Sequence, residues 1–151
     1  MAGYSRTPLP QMLGMVDGTR GALIGAPKGF EARLDGFPTG VSMCDHARGN
    51  LDVIVFFATR RAELERRFPV FARALVADGG LWVSWPTRTS GVATDLTGSI
   101  AREIGLSAGL VDDKFCEIDD IWSGLRFVYR HDDRPERGRP ARVRAQRNGL
   151  G

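Results

Sequence analysis

The segment GGLWVSWP at residues 79–86 opens the part of the sequence that decides the fold. A glycine pair precedes an apolar run that a proline ends, which is typical of a β-strand. Farther along, residues 96–104 have the spacing of a short helix. Residues 111–118 and 125–130 are predicted strands, and the short connection between them predicts an antiparallel hairpin.

The run LDVIVFF at residues 51–57 is the strongest strand signal upstream of this segment. Nearly continuous apolar and β-branched residues are typical of a parallel strand that is covered on both faces. Alternation predicts two sets of core side chains on opposite faces, Val53, Val55 and Phe57 on one and Ile54 and Phe56 on the other. We therefore expect a central position in the sheet for this strand.

Residues 61–76 carry apolar side chains at spacings of three and four, which predicts a helix with one buried face. Thr59 is the expected N-cap. Pro69 predicts a kink or a break, and the residues Asp78-Gly79-Gly80 are expected to end the helix. For the helix at 96–104, we expect a cap at Thr94 or Asp95 and an end at Gly105, Ala108 and Gly109.

The first third of the chain predicts two more strands, at 21–25 and 40–45, with a short helix at 30–34 between them. Residues 1–19 are expected to be an irregular lead-in, because Pro8 and Pro10 rule out a regular element before about Gln11. The alternation of strands and helices predicts one α/β domain over 20–130. We expect a three-layer, Rossmann-like fold with a mostly parallel sheet and an antiparallel C-terminal edge hairpin.

The charge of the chain is concentrated at its C-terminal end. Residues 131–151 hold six Arg against three acidic residues, and the rest of the chain has equal numbers of basic and acidic residues. This segment has no hydrophobic period, so we expect a disordered basic tail. It also has no aromatic residue to stack on bases, which limits nucleic-acid binding to weak, non-specific tail contacts.

Composition also restricts the location of the protein. No apolar run approaches the ~20 residues that a membrane-spanning helix needs, and the first residues lack the apolar core of a secretory signal. The two cysteines, Cys44 and Cys116, are expected to be reduced and buried. We therefore expect a cytoplasmic protein without a membrane partner.

Several short sequence blocks, spread over most of residues 13–130, resemble those of known proteins. Together, the blocks WVSWP (82–86), ATDL (93–96), GLVD (109–112) and WSGL (122–125) resemble a small bacterial family of unknown function. The order of elements resembles a shortened class I methyltransferase. The first resemblance implies a fold and no reaction. The second implies binding of S-adenosylmethionine or a nucleotide.

Ligands of open α/β sheets bind beyond the carboxyl ends of the parallel strands, which makes the loop after the first strand a candidate site. Gly25 and Gly29 bracket this loop, and Asp45 ends the next strand, where Rossmann-type sites place a carboxylate on ribose hydroxyls. These three residues are the predicted cofactor-binding set. Pro27 opposes the prediction, because it removes a backbone N–H from the loop.

A second candidate lies after the strand at 81–85. Hydroxyls, one cation and a helix N-terminus together predict a site for a small anion. The predicted ligand-binding residues are Lys28 from the first loop with Ser84, Trp85, Thr87, Arg88, Thr94 and Asp95. Asp95 opposes an anion unless its carboxylate serves as a helix cap.

Other constellations give no support for catalysis or metal binding. Cys44 and His46 are about 7 Å apart if they share a strand face, which is too far for a catalytic pair. Two His and two Cys without ligand spacing predict no metal site.

Three functions remain open for the chain. The preferred one is a non-catalytic binding or regulatory domain for a small anionic ligand. The alternatives are a reduced methyltransferase-like enzyme that binds S-adenosylmethionine or a nucleotide, and a homodimeric interaction module.

Overall fold

The computed structural model describes residues 9–30 and 39–130. The predicted tail at 131–151 and nearly all of the helix predicted at 30–34 lie outside the described residues. Within them, three helices form, α1 (Leu9–Met12), α2 (Arg61–Arg73) and α3 (Gly98–Ser107). The six strands are β1 (Arg20–Ile24), β2 (Ser42–Cys44), β3 (Leu51–Phe57), β4 (Leu75–Pro86), β5 (Leu110–Glu117) and β6 (Trp122–Tyr129).

The six strands form one sheet in the order β2-β1-β3-β4-β6-β5. The first four are parallel, whereas β6 is antiparallel to both β4 and β5. This arrangement confirms the predicted Rossmann-like α/β fold with an antiparallel edge hairpin. The carboxyl ends of four parallel strands therefore meet at one edge of the sheet.

The strand β3 is central and buried on both faces, as its sequence predicts. Ile54 and Phe56 pack into the cluster formed with α2 and α3. Val53, Val55 and Phe57 pack on the opposite face against Leu13, Met15 and Phe30.

The lead-in contributes to this second face. The helix α1 begins at Leu9, earlier than predicted, because Pro10 is tolerated in the first turn of a helix. The indole Nε1 of Trp82 donates to the carbonyl oxygen of Leu13 at 2.9 Å, in a buried position. Leu13 and Met15 are each 1% exposed, so the segment that follows α1 closes one face of the sheet.

The end of the helix predicted at 61–76 is wrong. The helix α2 ends at Arg73, and Leu75 is already the first residue of β4, where it pairs with Leu51 of β3. Asp78-Gly79-Gly80 belongs to this strand, at a shift in its register with β3. A Cβ on Gly79 would lie 3.0 Å from the carbonyl oxygen of Leu51, so glycine permits a close approach of two backbones here.

The break predicted at Pro69 is absent, because α2 continues through this residue. The predicted N-cap is also wrong. Arg60 occupies the N-cap position without a side-chain hydrogen bond. The carboxylate Oδ1 of Asp95 instead accepts a hydrogen bond from the backbone N–H of Arg61 at 2.7 Å, so a residue 34 positions later caps α2.

The predicted start of α3 is wrong as well, whereas its end at Ala108 and Gly109 is confirmed. Its N-cap is Thr97, whose Oγ1 accepts from the N–H of Ile100 at 3.2 Å, because Thr94 and Asp95 are engaged elsewhere. The helix also continues through Gly105, which packs closely against the ring of Phe127. A glycine that signals a helix end in the sequence is here a contact point between helix and sheet.

We expect Asp95→Ala to lower the free energy of unfolding by about 1 kcal/mol, because the first turn of α2 loses its only side-chain cap among the described residues. Asp95→Asn is the matched control, since asparagine caps helices as well as aspartate does. Urea denaturation of both variants measures the effect. Equal losses in the two variants would show that the negative charge, rather than the hydrogen bond, stabilises the helix.

Candidate functional site

The loop after β1 and the end of β2 enclose a cavity of about 540 Å³ at the carboxyl edge of the sheet, which we call the glycine-loop cavity. Its lining includes Gly25, Lys28, Gly29 and Asp45. All three predicted cofactor-binding residues therefore line one cavity, together with Lys28, which is a predicted ligand-binding residue. The cavity adjoins β1, one of the two strands between which the strand order reverses, and open α/β sheets bind ligands near such points.

The backbone of this loop requires its two glycines. Gly25 has φ 73°, and a Cβ there would lie 2.9 Å from the carbonyl oxygen of Phe57. Gly29 has φ 81° and open space where a Cβ would stand. Phe30 anchors the far end of the loop, because its buried ring packs edge-on against Phe57 with centroids 4.9 Å apart. The loop is thus fixed at both ends and open in the middle.

Asp45 presents its carboxylate to solvent beside this cavity, with a side chain that is 93% exposed. Its Oδ1 lies 3.1 Å from Nδ1 of His46. The thiol of Cys44 is directed to backbone carbonyl oxygens, that of Gly21 at 3.4 Å and that of His46 at 3.0 Å. The thiol of Cys44 therefore bonds to backbone carbonyl oxygens and not to the imidazole of His46.

A second cavity, of about 680 Å³, follows β4, and we call it the Arg88 cavity. Its walls are the end of β4, the loop that leads to α3, and the first turn of that helix. Four of the predicted ligand-binding residues line it: Trp85, Thr87, Arg88 and Thr94. A single 3₁₀ turn at Arg88–Ser90, followed by Gly91 at φ 82°, reverses the chain at its rim.

Of the other three predicted ligand-binding residues, Lys28 lines the glycine-loop cavity, and Ser84 and Asp95 line neither cavity. Ser84 is fully buried on the face of β4 that carries Trp82, and its Oγ has no hydrogen-bond partner among the described residues. Asp95 does not line the Arg88 cavity, because its carboxylate caps α2. The repulsion that Asp95 would exert on an anion is therefore weakened by its bond to a helix N-terminus.

Thr94 joins the two loops that follow β3 and β4. Its Oγ1 donates to the carbonyl oxygen of Thr59 at 2.7 Å and accepts from the N–H of Leu96 at 3.0 Å. The N–H of Asp95 also donates to Thr59, at 3.4 Å. The sequence marks Thr94 as a ligand contact, and the structure shows in addition that it fixes one wall of the Arg88 cavity.

Lys28 and Arg88 line separate cavities that share no residue. The strands that carry them, β1 and β4, are separated by β3. Eight of the ten predicted site residues thus fall into two spatial groups of four, and Ser84 and Asp95 line neither cavity.

Solved structures with a similar fold are methyltransferases in several cases. A SAM-dependent methyltransferase from Aquifex aeolicus has a TM-score of 0.55 at 12% identity, over 78% of this chain and 85% of that one. A magnesium protoporphyrin IX methyltransferase from Synechocystis PCC 6803, with bound SAH, has a TM-score of 0.51 at 13% identity, over 76% and 75%. The chain has a methyltransferase-like fold. The resemblance in element order is therefore confirmed at the level of the fold.

A third similar structure, a pyocyanin biosynthetic protein, has a TM-score of 0.60 at 11% identity. The match covers 81% of this chain but 53% of the other, so the chain spans about half the length of that protein. No protein-family model and no curated protein sequence matches the chain. The resemblance to a family of unknown function therefore stays a prediction.

A third cavity, of about 440 Å³, lies between α2 and α3, and the sequence analysis does not predict it. Arg61 crosses its rim, with Nε 2.9 Å from Glu65 and a guanidinium nitrogen 3.8 Å from Glu103. The hydrogen bond and charge of Glu65 raise the pKa of Arg61, with a smaller contribution from Glu103. Only the spacing of Arg61 and Glu65, one helical turn apart, could have indicated part of this arrangement.

The remaining candidates have structural roles. Asp112 pairs with Arg102 at 3.1 Å, and Asp113 pairs with Arg126 at 2.9 Å, so the adjacent carboxylates serve different partners. Among residues 9–30 and 39–130, no three His, Cys, Asp or Glu side chains are grouped as metal ligands would be. In the same part of the chain, every helix is too short or too polar to cross a membrane.

Proposed function

We propose that the chain binds S-adenosylmethionine or S-adenosylhomocysteine in the glycine-loop cavity and is a reduced methyltransferase-like enzyme. One observation carries the proposal: in a methyltransferase-like fold, the loop after β1 and the carboxylate after β2 line the same cavity. In Rossmann-type sites these two elements hold the two ends of a nucleoside-containing cofactor. The comparisons favour this function over the non-catalytic anion-binding domain that the sequence suggested first.

The residues of the cavity fit such a cofactor. Asp45 lies 20 positions after Gly25 at the end of the second strand, where its carboxylate is exposed and can accept hydrogen bonds from ribose hydroxyls. One of its oxygens, Oδ1, also lies 3.1 Å from Nδ1 of His46. Gly29 leaves open space, so a ligand can approach its backbone closely. Lys28 has no acidic partner among the described residues and is suited to bind the amino-acid carboxylate.

The loop also differs from the glycine-rich loops of nucleotide sites. Pro27 offers no N–H, so Lys28 is needed as a second donor toward the anionic end of the ligand. When bound, S-adenosylmethionine supplies an electrophilic methyl group on its sulfonium sulfur. The chain's own residues bind and orient the ligand, with Asp45 on the ribose and Lys28 on the carboxylate.

Calorimetric titration with S-adenosylmethionine, S-adenosylhomocysteine and ATP tests the proposal. We expect the two adenosyl compounds to bind and Asp45→Asn to weaken their binding about tenfold, because hydrogen bonds to a charged acceptor are lost. The melting temperature without ligand should not change, since the Asp45 side chain is 93% exposed.

Asp120→Asn is the matched control, because it removes the same charge from an exposed position in the turn between β5 and β6. It should leave binding unchanged. Absence of binding by both adenosyl compounds at millimolar concentration would contradict the proposal, and tighter binding of ATP would favour a nucleotide instead. The homodimer, the cytoplasmic location and the disordered tail stay predictions.

A further inference from the structure

The Arg88 cavity has the size and walls of an independent small-molecule site. Its volume of about 680 Å³ lies within the range of roughly 300–1,000 Å³ that ligand pockets occupy. It shares no lining residue with the glycine-loop cavity. A compound bound here would therefore be a second ligand, and the inference that follows goes beyond the proposed function without depending on it.

The walls of this cavity are held in place by hydrogen bonds to the rest of the protein. The N–H of Thr87 donates to the carbonyl oxygen of Ile121 at 2.7 Å, which ties the start of the loop to the turn before β6. Ser90 Oγ donates to the carbonyl oxygen of Thr87 at 2.8 Å and accepts from the N–H of Val92 at 3.1 Å. Thr94 fixes the other end of the loop. A preformed wall lowers the entropic cost of binding a ligand.

The lining is mostly apolar, with a single cation and three hydroxyl-bearing residues, Thr87, Thr94 and Thr97. Trp85 and Leu96, which are 7% and 3% exposed, form the buried floor of the cavity, and Val92 is an exposed apolar side chain at the rim. Arg88 is the only charged residue of the lining. No acidic side chain lines the cavity, and the nearby carboxylate of Asp95 is bound to the start of α2.

Among the described residues, Arg88 lacks the acidic partner that several arginines around the two helices have. Arg61, Arg67, Arg102 and Arg126 all form ion pairs with acidic side chains. Within the described part of the chain, Arg88 is exposed and forms none. A guanidinium without an acidic partner, at the rim of an apolar cavity, is suited to bind a carboxylate through two parallel hydrogen bonds.

We infer that the Arg88 cavity binds an aromatic carboxylate, with its ring against Val92 and the exposed edge of Trp85 and its carboxylate on the guanidinium of Arg88. A flat ring suits the indole, because offset or edge-on aromatic pairs are favourable. A carboxylate is favoured because the lining contains no acidic side chain that would repel it. A neutral compound of the same shape gains only the apolar contacts.

Titrations with 2-naphthoate and with the neutral 2-naphthamide test this inference. Binding is measured from shifts of the backbone amide resonances of the protein. We expect 2-naphthoate to shift the resonances of Arg88, Val92 and Gly98 and to bind about tenfold more tightly than the amide. Arg88→Ala should remove this preference. It should leave the melting temperature without ligand unchanged, because the side chain is exposed.

Lys28→Ala is the matched control, because it removes a cation from the other cavity. It should leave naphthoate binding unchanged. Equal affinity for acid and amide, resonance shifts confined to residues 25–29 and Asp45, or no binding at millimolar concentration would each overturn the inference. Failure of the adenosyl compounds to bind would not affect it, since the two cavities share no residue.

Discussion

Phe56→Ala is expected to lower the free energy of unfolding by about 3–5 kcal/mol, the cost of removing a large aromatic side chain from a packed core. Phe56 is 0% exposed and lies in the middle of the sheet on β3. Its ring centroid is 4.7 Å from that of Phe71, and the guanidinium carbon of Arg67 lies 5.2 Å above it. The substitution leaves a cavity between sheet and α2 that neither neighbour can fill. Urea denaturation measures the loss.

Phe115→Ala is the matched control for this prediction. Phe115 lies on the edge strand β5 and is 58% exposed, so the same truncation there should cost less than about 1 kcal/mol. A similar loss in both variants would show that the cost depends on the residue type and not on burial. In that case the central position of β3 would not explain its importance for stability.

Gly105→Ala is expected to lower the free energy of unfolding by about 2 kcal/mol, although alanine favours a helix over glycine by about 1 kcal/mol. An added Cβ would overlap the ring of Phe127. This ring is 0% exposed and packs edge-on against Phe68 with centroids 5.3 Å apart, so it has no space to move away. The overlap therefore outweighs the gain in helix propensity.

Gly98→Ala in the same helix provides the comparison. Its Cβ would meet the indole of Trp85 at 3.5 Å, an ordinary van der Waals contact, so we expect no loss of stability. The double variant Gly105→Ala/Phe127→Leu should recover part of the loss, because the smaller side chain makes room. An unchanged or raised stability of Gly105→Ala alone would mean that α3 and β6 can move apart.

The two cavities at the carboxyl edge show how much of a site can be predicted from the sequence. Gly25, Gly29 and Asp45 were grouped because the carboxyl ends of parallel strands share one edge of a sheet, and they do line one cavity. The same rule placed Lys28 with Arg88, yet these two line different cavities, because β3 lies between their strands. The rule fixes the edge of the sheet but not the position along it, which depends on strand order.

The sequence by itself determined the strand β3, its two buried faces and the antiparallel hairpin at the edge, because each depends on the pattern of neighbouring residues. Only the tertiary structure decided that Asp95 caps α2, that Gly79 and Gly80 lie within β4, and that α3 passes through Gly105. In each of these, a partner distant in the sequence outweighs the local signal. A backbone N–H at Arg61, the carbonyl oxygen of Leu51 and the ring of Phe127 become neighbours only when the sheet has formed.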